Sequence, residues 1–564
     1  MNKSKLTRTE ALSQLTAPGQ AFELEQIEMY GYTCRAFKNA PATLRDLYFE
    51  SRSDAPFFVY EDERYTYEEI YQQSCQIATL LVEDYGIRKG DRVSISMRNY
   101  PEWVMAFNAV TSIGAIAVAM NALWLTDEME YGLDDSGSSV LFADQERIDR
   151  VLPIYHQLKI KVIAVRTDRP LPDDIPLLKD LLNELSPGEM PPGSIDPNDD
   201  VTILYTSGST GHPKGVVSSH RNIITALLSW ELDTQAAMLA MNLEPIPPAH
   251  PPTTLLAVPL FHATGSHAVL LNSYRAQRRI VSMYRWDASL AAELIESERI
   301  TSFIAPAAMT GDLVEVARKT NLDLSSLATV GGGGAPRAPE QVKGIANSFT
   351  KAMPGTGWGM TETNAIGTGI GGEDYLEHPG SSGRCSAVLD LATFDEQGNE
   401  LPRGERGELR VRGTSVIQGY WRRPEADRES FCDGWLKTGD VAYIDEEGYL
   451  YIVDRIKDLV IRGGENIGCA EVEAALLEHE DILEATVYAV PDKRLGEEVG
   501  TTVYSLSDID VEDLITFLKA RVARFKIPRY FKITTEPLPR IASGKINKRE
   551  LREVAVREIQ NETV

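Results

Sequence analysis

Between Thr206 and Lys214 the chain concentrates groups that bind phosphate. Thr206-Ser207-Gly208-Ser209-Thr210-Gly211 offers four hydroxyls and two glycines, and Lys214 adds an ammonium three positions on. Glycines let backbone N–H groups approach phosphate oxygens closely, and hydroxyls and an ammonium supply further donors. A β-rich run, residues 201–205, delivers the chain into this loop. It is not a Walker A loop, because Pro213 precedes Lys214 and the GxxxxGK[ST] spacing is absent. A Ser/Thr/Gly-rich stretch alone would read as a plain turn; Pro213-Lys214-Gly215 in this register points to phosphate contact.

Further motifs follow in a fixed order: Pro259-Leu260-Phe261-His262, Gly333-Gly334-Ala335-Pro336, Gly357-Trp358-Gly359-Met360-Thr361-Glu362-Thr363, Thr438-Gly439-Asp440, Asp454-Arg455-Ile456-Lys457-Asp458 and Ser543-Gly544-Lys545. Together with the phosphate loop they resemble the signatures of the adenylate-forming superfamily, and within it the acyl-CoA synthetases and fatty-acid–CoA ligases. The resemblance runs from Asn99 to Lys545.

The resemblance implies roles for particular residues. Thr206, Ser207, Gly208, Ser209, Thr210, Gly211 and Lys214 would hold the ATP phosphates. Gly334, Ala335, Pro336, Gly357, Trp358, Gly359 and Met360 would surround the nucleotide, Thr361 would touch the α-phosphate, and Glu362 would hold Mg²⁺. One carboxylate completed by phosphate oxygens and water suits that hard cation. Asp440 can accept from both ribose hydroxyls, with Arg455 beside it or serving as a bridge between domains. Trp358 offers a flat face to adenine, or is a core tryptophan. Lys545 would enter from a small domain to bridge the acid's carboxylate and the α-phosphate, where preorganised charge acts on the transition state. His262, Gly333, Gly334 and Ile366 would line the acyl pocket, His262 as a wall or gate and not as a base. Lys457 would be the hinge. Gly463 and Gly464 would line a thiol tunnel, a role compatible with a tight turn. Lys548 reads as a helix-start charge. The implied substrates and cofactor are ATP, CoA and Mg²⁺, and homodimers are common in such a family.

Other patterns are set aside. Gly367-Thr368-Gly369-Ile370-Gly371-Gly372 matches GxGxxG, but no helical pattern is read after it and no βαβ unit surrounds it. His262 and His267 stand five apart, which is not helical zinc spacing. Formal charge is −26, from 57 Lys and Arg against 83 Asp and Glu, which disfavours nucleic-acid binding. Five scattered cysteines without CxxC spacing fit a reducing compartment. The N-terminus lacks a signal-peptide core, there is no long apolar span, and the NETV end is no peroxisomal address, so a cytoplasmic enzyme without a transmembrane segment is expected.

The elements that must position these residues alternate. An amphipathic helix over 67–83, a strand over 92–96, a helix over 101–112 and a strand over 116–119 set an α/β rhythm, repeated by strands near 201–205, 255–258 and 301–304. From about Ser386, short strands between Gly-containing turns predict a small antiparallel β unit. The last 110 or so residues carry helices over 471–480 and 511–525 and strands over 482–490 and 499–506. The expected fold is thus α/β, with a large N-terminal domain of α/β layers plus that β unit (1–456) and a small mobile α+β domain (457–564).

The expected activity is an ATP-dependent acid–CoA ligase that forms acyl-AMP and then acyl-CoA. A stand-alone enzyme loading a carrier protein differs only in the thiol acceptor, and a non-catalytic binder is disfavoured by intact Lys214, Glu362, Asp440 and Lys545. Small residues at Ala263, Gly265 and from Gly331 to Gly334 suggest room for a medium- or long-chain fatty acid, with aryl, terpenoid or steroid acids as the alternative.

Overall fold

The computed structural model describes residues 6–206, 213–242, 249–334, 337–349, 351–463, 465–541 and 544–562. Ser207, Gly208, Ser209, Thr210, Gly211, Ala335, Pro336, Gly464 and Ser543 lie outside the described residues.

The architecture is α/β with a separate α+β C-terminal unit. A six-stranded sheet runs in the order Lys214–Ser219, Asp200–Thr206, Ile116–Ala119, Arg92–Ser96, Val140–Asp144, Lys161–Val165. Every neighbouring pair is parallel except the first, which is antiparallel and sets Thr206 opposite Lys214. The two ends of the phosphate-binding motif therefore stand side by side at one sheet edge. The strands are buried runs such as Val93 and Ile95 or Val201 and Ile203, which is what a sheet covered on both faces requires. Helix Tyr67–Glu83 starts at a Thr66–Glu69 capping box, and Pro101–Ser112 starts on Pro101 and is buried nearly all round.

The second sheet has fourteen strands. Its middle is parallel, in the order Met353–Gly357, Thr329–Gly333, Ser302–Ile304, Thr253–Leu256, Arg279–Ser282, Pro56–Tyr60. The antiparallel unit expected near Ser386 is not free-standing. Strands Thr368–Gly371 and Gly383–Cys385 join its strands Tyr449–Arg455, Trp435–Ile444, Gly407–Gly413 and Leu389–Phe394 to the parallel middle, making one ladder. A short helix, Gly372–Glu377, does follow the GxGxxG stretch, contrary to the sequence reading. Its flanking strands are antiparallel, so it builds no βαβ unit.

The C-terminal unit has a five-stranded sheet in which Gly496–Ser505 pairs with Val460–Arg462, Ile482–Asp492 and Tyr530–Thr534. Its apolar core, with Val472, Val487, Val499, Leu514 and Leu518, is separate from those of the other sheets. Two helices are shorter than their apolar spacing suggested: Cys469–Leu476 and Val511–Lys519.

Thr253–Leu256 is the pivot of the parallel middle. The chain leaves it to form Arg279–Ser282 on one side and then returns to form Ser302–Ile304 on the other. In open α/β sheets the crevice at the carboxyl ends of strands around such a reversal is where ligands bind. The segment leaving this pivot is Val258-Pro259-Leu260-Phe261-His262.

It leads into a π-helix, Thr264–Leu271, that carries His267. This imidazole is fully buried, and among the described residues neither ring nitrogen has a partner. Burial lowers its pKa from 6.5 to about 3. The unfolded chain therefore binds a proton that the folded chain refuses as pH falls through about 6.5, so stability is lost on the acid side. His267→Phe should unfold at equal or higher denaturant concentration at neutral pH, with an advantage over wild type that widens toward about pH 4.5. Parallel denaturation curves at the two pH values check this, and a constant difference would reject it.

Candidate active site

The segments leaving Thr253–Leu256, Thr329–Gly333 and Met353–Gly357 and one loop of the C-terminal unit converge. Met353–Gly357 delivers Trp358, whose indole is buried and donates Nε1 to Asp440 Oδ2 at 2.8 Å. Asp440 stands directly opposite Arg455 on paired antiparallel strands, and Arg455 Nε reaches Asp440 Oδ1 at 2.6 Å. Both carboxylate oxygens thus have a protein donor and keep further lone pairs for a diol. Burial raises the Asp440 pKa, against the pull of Arg455, Trp358 and Lys545. Trp358 also packs on Gly367, where a β-carbon would lie 2.5 Å from the ring. Its indole is both a buried wall and the orienter of Asp440.

The turn Thr361–Thr363 is followed by two non-glycine residues in the left-handed region, Asn364 at φ 58° and Ala365 at φ 65°. Such backbone concentrates at working sites and is held by its surroundings. Here Asn364 Nδ2 donates to Ser415 O at 2.9 Å, and Ile417 N donates to Glu362 O at 3.0 Å. Glu362 is buried, and Tyr420 donates its hydroxyl to Oε1 at 3.0 Å. Burial raises the Glu362 pKa; Tyr420, Arg455 and Lys214 oppose that rise. Lys214 Nζ lies 5.4 Å from the centre of the Tyr420 ring. Half-buried Thr361 and Met360 and buried Ile366 fill the same turn.

Lys545 comes from the C-terminal unit. A β-carbon on Gly334 would stand 3.5 Å from its Nζ. Burial and the charge of Arg455 lower the Lys545 pKa, and Asp440 counters them. His262 lies tilted at 54° against Phe261, with ring centres 4.6 Å apart, and among the described residues its buried Nε2 has no partner. Burial, then the charge of Lys545, lowers the His262 pKa to about 4, so the ring is neutral at physiological pH. Thr206, Lys214, His262, Gly334, Gly357, Trp358, Gly359, Thr361, Glu362, Asp440, Arg455 and Lys545 thus gather around the pivot crevice and its neighbours.

Other readings change. The glycine run is demanded by backbone, not by room for an acid: a β-carbon on Gly332 would lie 1.9 Å from Ala305 O, and one on Gly265 would lie 2.2 Å from Pro259 O. Gly333 is filled in the same way by Gly357 O. Lys548 opens the helix Lys548–Glu562, as read from the sequence, and its half-buried ammonium also pairs with Glu473 at 2.9 Å. Lys457 is exposed in the turn Ile456–Asp458, between the last strand of the second sheet and the first of the C-terminal sheet. Gly463 sits in the next hairpin at φ +59°, its N–H donating to Leu495 O at 2.8 Å, away from the crevice. Tyr420 was not legible as a site residue. Its only signal is its place in Gly419-Tyr420-Trp421, and its partner Glu362 lies 58 positions away.

Comparison with known proteins places the chain in a family. The family model described as AMP-binding enzyme matches residues 48–421, and the model described as AMP-binding enzyme C-terminal domain matches residues 471–545. The chain belongs to the AMP-binding enzyme family. It is 32% identical over 500 residues to the long-chain-fatty-acid–CoA ligase FadD13 of Mycobacterium tuberculosis, covering 87% of this chain and 93% of that one. It is 33% identical to the feruloyl-CoA synthase of an Amycolatopsis species, covering 86% and 93%. The o-succinylbenzoate coenzyme A synthetase of Bacillus subtilis, solved with ATP and magnesium ion, superposes with TM-score 0.75 at 29% identity, covering 91% and 99%. This AMP-binding enzyme is an ATP-dependent acid–thiol ligase of the AMP-forming type, using ATP, Mg²⁺ and CoA.

The local chemistry fits the cation. Among the described residues no group of three or more acidic, His or Cys side chains could hold a metal. A lone buried carboxylate such as Glu362 would hold Mg²⁺ only together with phosphate oxygens and water, which is how that cation is bound with a nucleotide. Among the described residues no helix is long and apolar enough to cross a membrane.

Proposed function

We propose that the acid is an apolar monocarboxylic acid, in first place a medium- or long-chain fatty acid. The observation that carries this is the wall of the crevice. Phe261, His262 with a neutral ring and Ile366, at the pivot segment and the turn beside it, offer no charge to a second polar group on the acid. The relative FadD13 is named for long-chain fatty acids, which supports the reading. An aryl acid is the second reading, favoured by the 33% identity to a feruloyl-CoA synthase.

In this reading the acid's carboxylate oxygen attacks the α-phosphorus of ATP. A carboxyl–phosphate bond forms, the bond between the α-phosphorus and the bridging oxygen breaks, and pyrophosphate leaves with the electron pair. Lys545 bridges the carboxylate and the α-phosphate, and Thr361 donates to the same phosphate. Thr206, Lys214 and the loop between them cradle the departing end. Glu362 would hold Mg²⁺, which when bound would supply charge to neutralise the phosphate oxygens. Asp440 and Arg455 hold the ribose, and Trp358 and Gly334 the base. The C-terminal unit, 457–564, then turns about Lys457 and withdraws Lys545. Gly463 and Gly464 come to line the approach of the CoA thiol. Its thiolate attacks the acyl carbon, and AMP departs.

Pyrophosphate release should be measured across medium- and long-chain saturated acids, cinnamic-type acids and a carrier-protein acceptor in place of CoA. Turnover highest on fatty acids and dependent on CoA is expected. A clear preference for aryl acids would overturn the first reading, and release on the carrier protein but not on CoA would overturn the acceptor.

A further inference from the structure

Beside Lys545 a single cation ties the C-terminal unit to the large domain. Arg540 Nη1 and Nη2 each donate to an Asp312 oxygen at 3.1 Å, and Nη2 also donates to Glu484 Oε1. Asp312 belongs to the large-domain helix Ala307–Lys319 and is fixed there by Trp286 Nε1 at 2.8 Å. Glu484 belongs to the C-terminal strand Ile482–Asp492, and its other oxygen accepts from Leu538 N at 2.7 Å. Arg540 is thus built into the C-terminal unit and reaches out to one carboxylate of the other.

The same arginine is the base of the loop that carries Lys545. Arg540 and Ile546 form an antiparallel bridge, Ile541 N donates to Lys545 O at 2.8 Å, and Gly544 N donates to Ile541 O at 2.9 Å. The loop tip meets the same large-domain helix: a β-carbon on Gly544 would lie 3.1 Å from Met309 Sδ, one helical turn before Asp312. The loop is therefore clamped at its base by charge and at its tip by packing, and Lys545 projects between the two clamps.

We propose that the Arg540–Asp312 pair is a latch that positions Lys545 for adenylate formation and is absent during thioester formation. The proposal rests on the two-pose reading above. Arg540 and Glu484 move as one body, so their bond survives the turn, whereas the bond to Asp312 has to break. Its contribution belongs to one pose alone. Arg540 is a positioning residue, because it acts through the loop and not on the substrate.

The test compares half-reactions in the full chain. Asp312→Asn keeps an acceptor for Trp286 and removes the charge. It should lower acid-dependent exchange of pyrophosphate into ATP about five- to tenfold, the effect of losing a half-buried ion pair. Thioester formation from supplied acyl-adenylate and CoA should stay at the wild-type rate or rise. Arg540→Met should behave likewise, and Arg540→Lys should recover part of the exchange. Equal loss in both half-reactions, or wild-type exchange in Asp312→Asn, would overturn the latch. Hydrogen exchange on the unliganded chain adds an arm that needs no turnover: Asp312→Asn should lose protection in 307–319 and 538–546 and keep it in 92–96. Unchanged protection in the first two segments also overturns the latch. A wild-type protein that exchanges no pyrophosphate with any acid would instead count against the proposed function, and the hydrogen-exchange arm would still decide the latch.

Discussion

Replacing Lys545 by alanine is expected to lower acid-dependent exchange of pyrophosphate into ATP by ~10²–10³-fold, the usual effect of removing one preorganised charge from a transition state. Thioester formation from supplied acyl-adenylate should change by no more than about twofold, because in the proposed second pose Lys545 would have left the site. The asymmetry follows from where the ammonium sits. It sits half-buried beside Gly334, Asp440 and Arg455, so it costs desolvation in this pose and is useful only while negative charge gathers between the acid and the α-phosphate. Burial and Arg455 lower its pKa. The adenylation rate should therefore fall off on the alkaline side at a lower pH than an ordinary lysine would impose, and alanine should abolish that limb of the profile. Equal loss in both half-reactions would refute the role.

Glu362→Gln is the second large effect. The side chain keeps its shape, and an amide oxygen can still accept from the Tyr420 hydroxyl, now 3.0 Å from Oε1. Only the charge is lost. Adenylation should fall roughly 10²-fold, and the Mg²⁺ concentration for half-maximal exchange should rise, because the protein carboxylate that anchors the cation is gone. Stability should move the other way. Burial raises the Glu362 pKa, so the ionised form is a cost to the folded chain at neutral pH. That cost is full above the raised folded pKa, fades as pH falls from there, and is gone below the unfolded carboxyl's value. The substituted amide carries no such charge, and the variant should melt at or above the wild-type temperature. An unchanged Mg²⁺ titration would reject the metal role, whatever happened to the melting temperature. This opposition between function and stability is typical of buried polar groups in working sites.

How far the sequence carries can be judged from particular elements. Helix Pro101–Ser112 and strand Arg92–Ser96 are legible because their signals are local: a proline start, and β-branched residues in a short run. The pivot strand was read two residues late, as 255–258, because Ala257 and Val258 continue the apolar run. Pairing stops at Leu256, where the chain peels away from both parallel neighbours toward the crevice. Likewise the helix beginning at Val511 ends at Lys519 although buried Val522 keeps the spacing, since the chain turns before it. Apolar periodicity reports burial, and burial does not require the element to continue.

The motifs carried the chemistry of the site, since phosphate binding, cation binding and diol binding each need a recognisable residue type. They did not carry its couplings. Asp440 and Arg455 meet because two strands pair; Arg540 and Asp312 meet across 228 positions because two bodies are packed in one pose. Lys548 looks like any surface lysine until Glu473, far back in the chain, closes over it. Gly331, Gly332 and Gly333 look like space for a substrate and are filled by neighbouring main chain, whereas Gly334 faces the Lys545 side chain.

Residue chemistry and short-range order thus determined which groups act, in what sequence they occur, and which family of reactions they serve. Tertiary structure alone decided which buried charges neutralise one another, which glycines are forced, and where the mobile lysine rests. The reason is physical: a side chain's chemistry is covalent and local, while burial, pairing and desolvation are set by partners that only folding brings near.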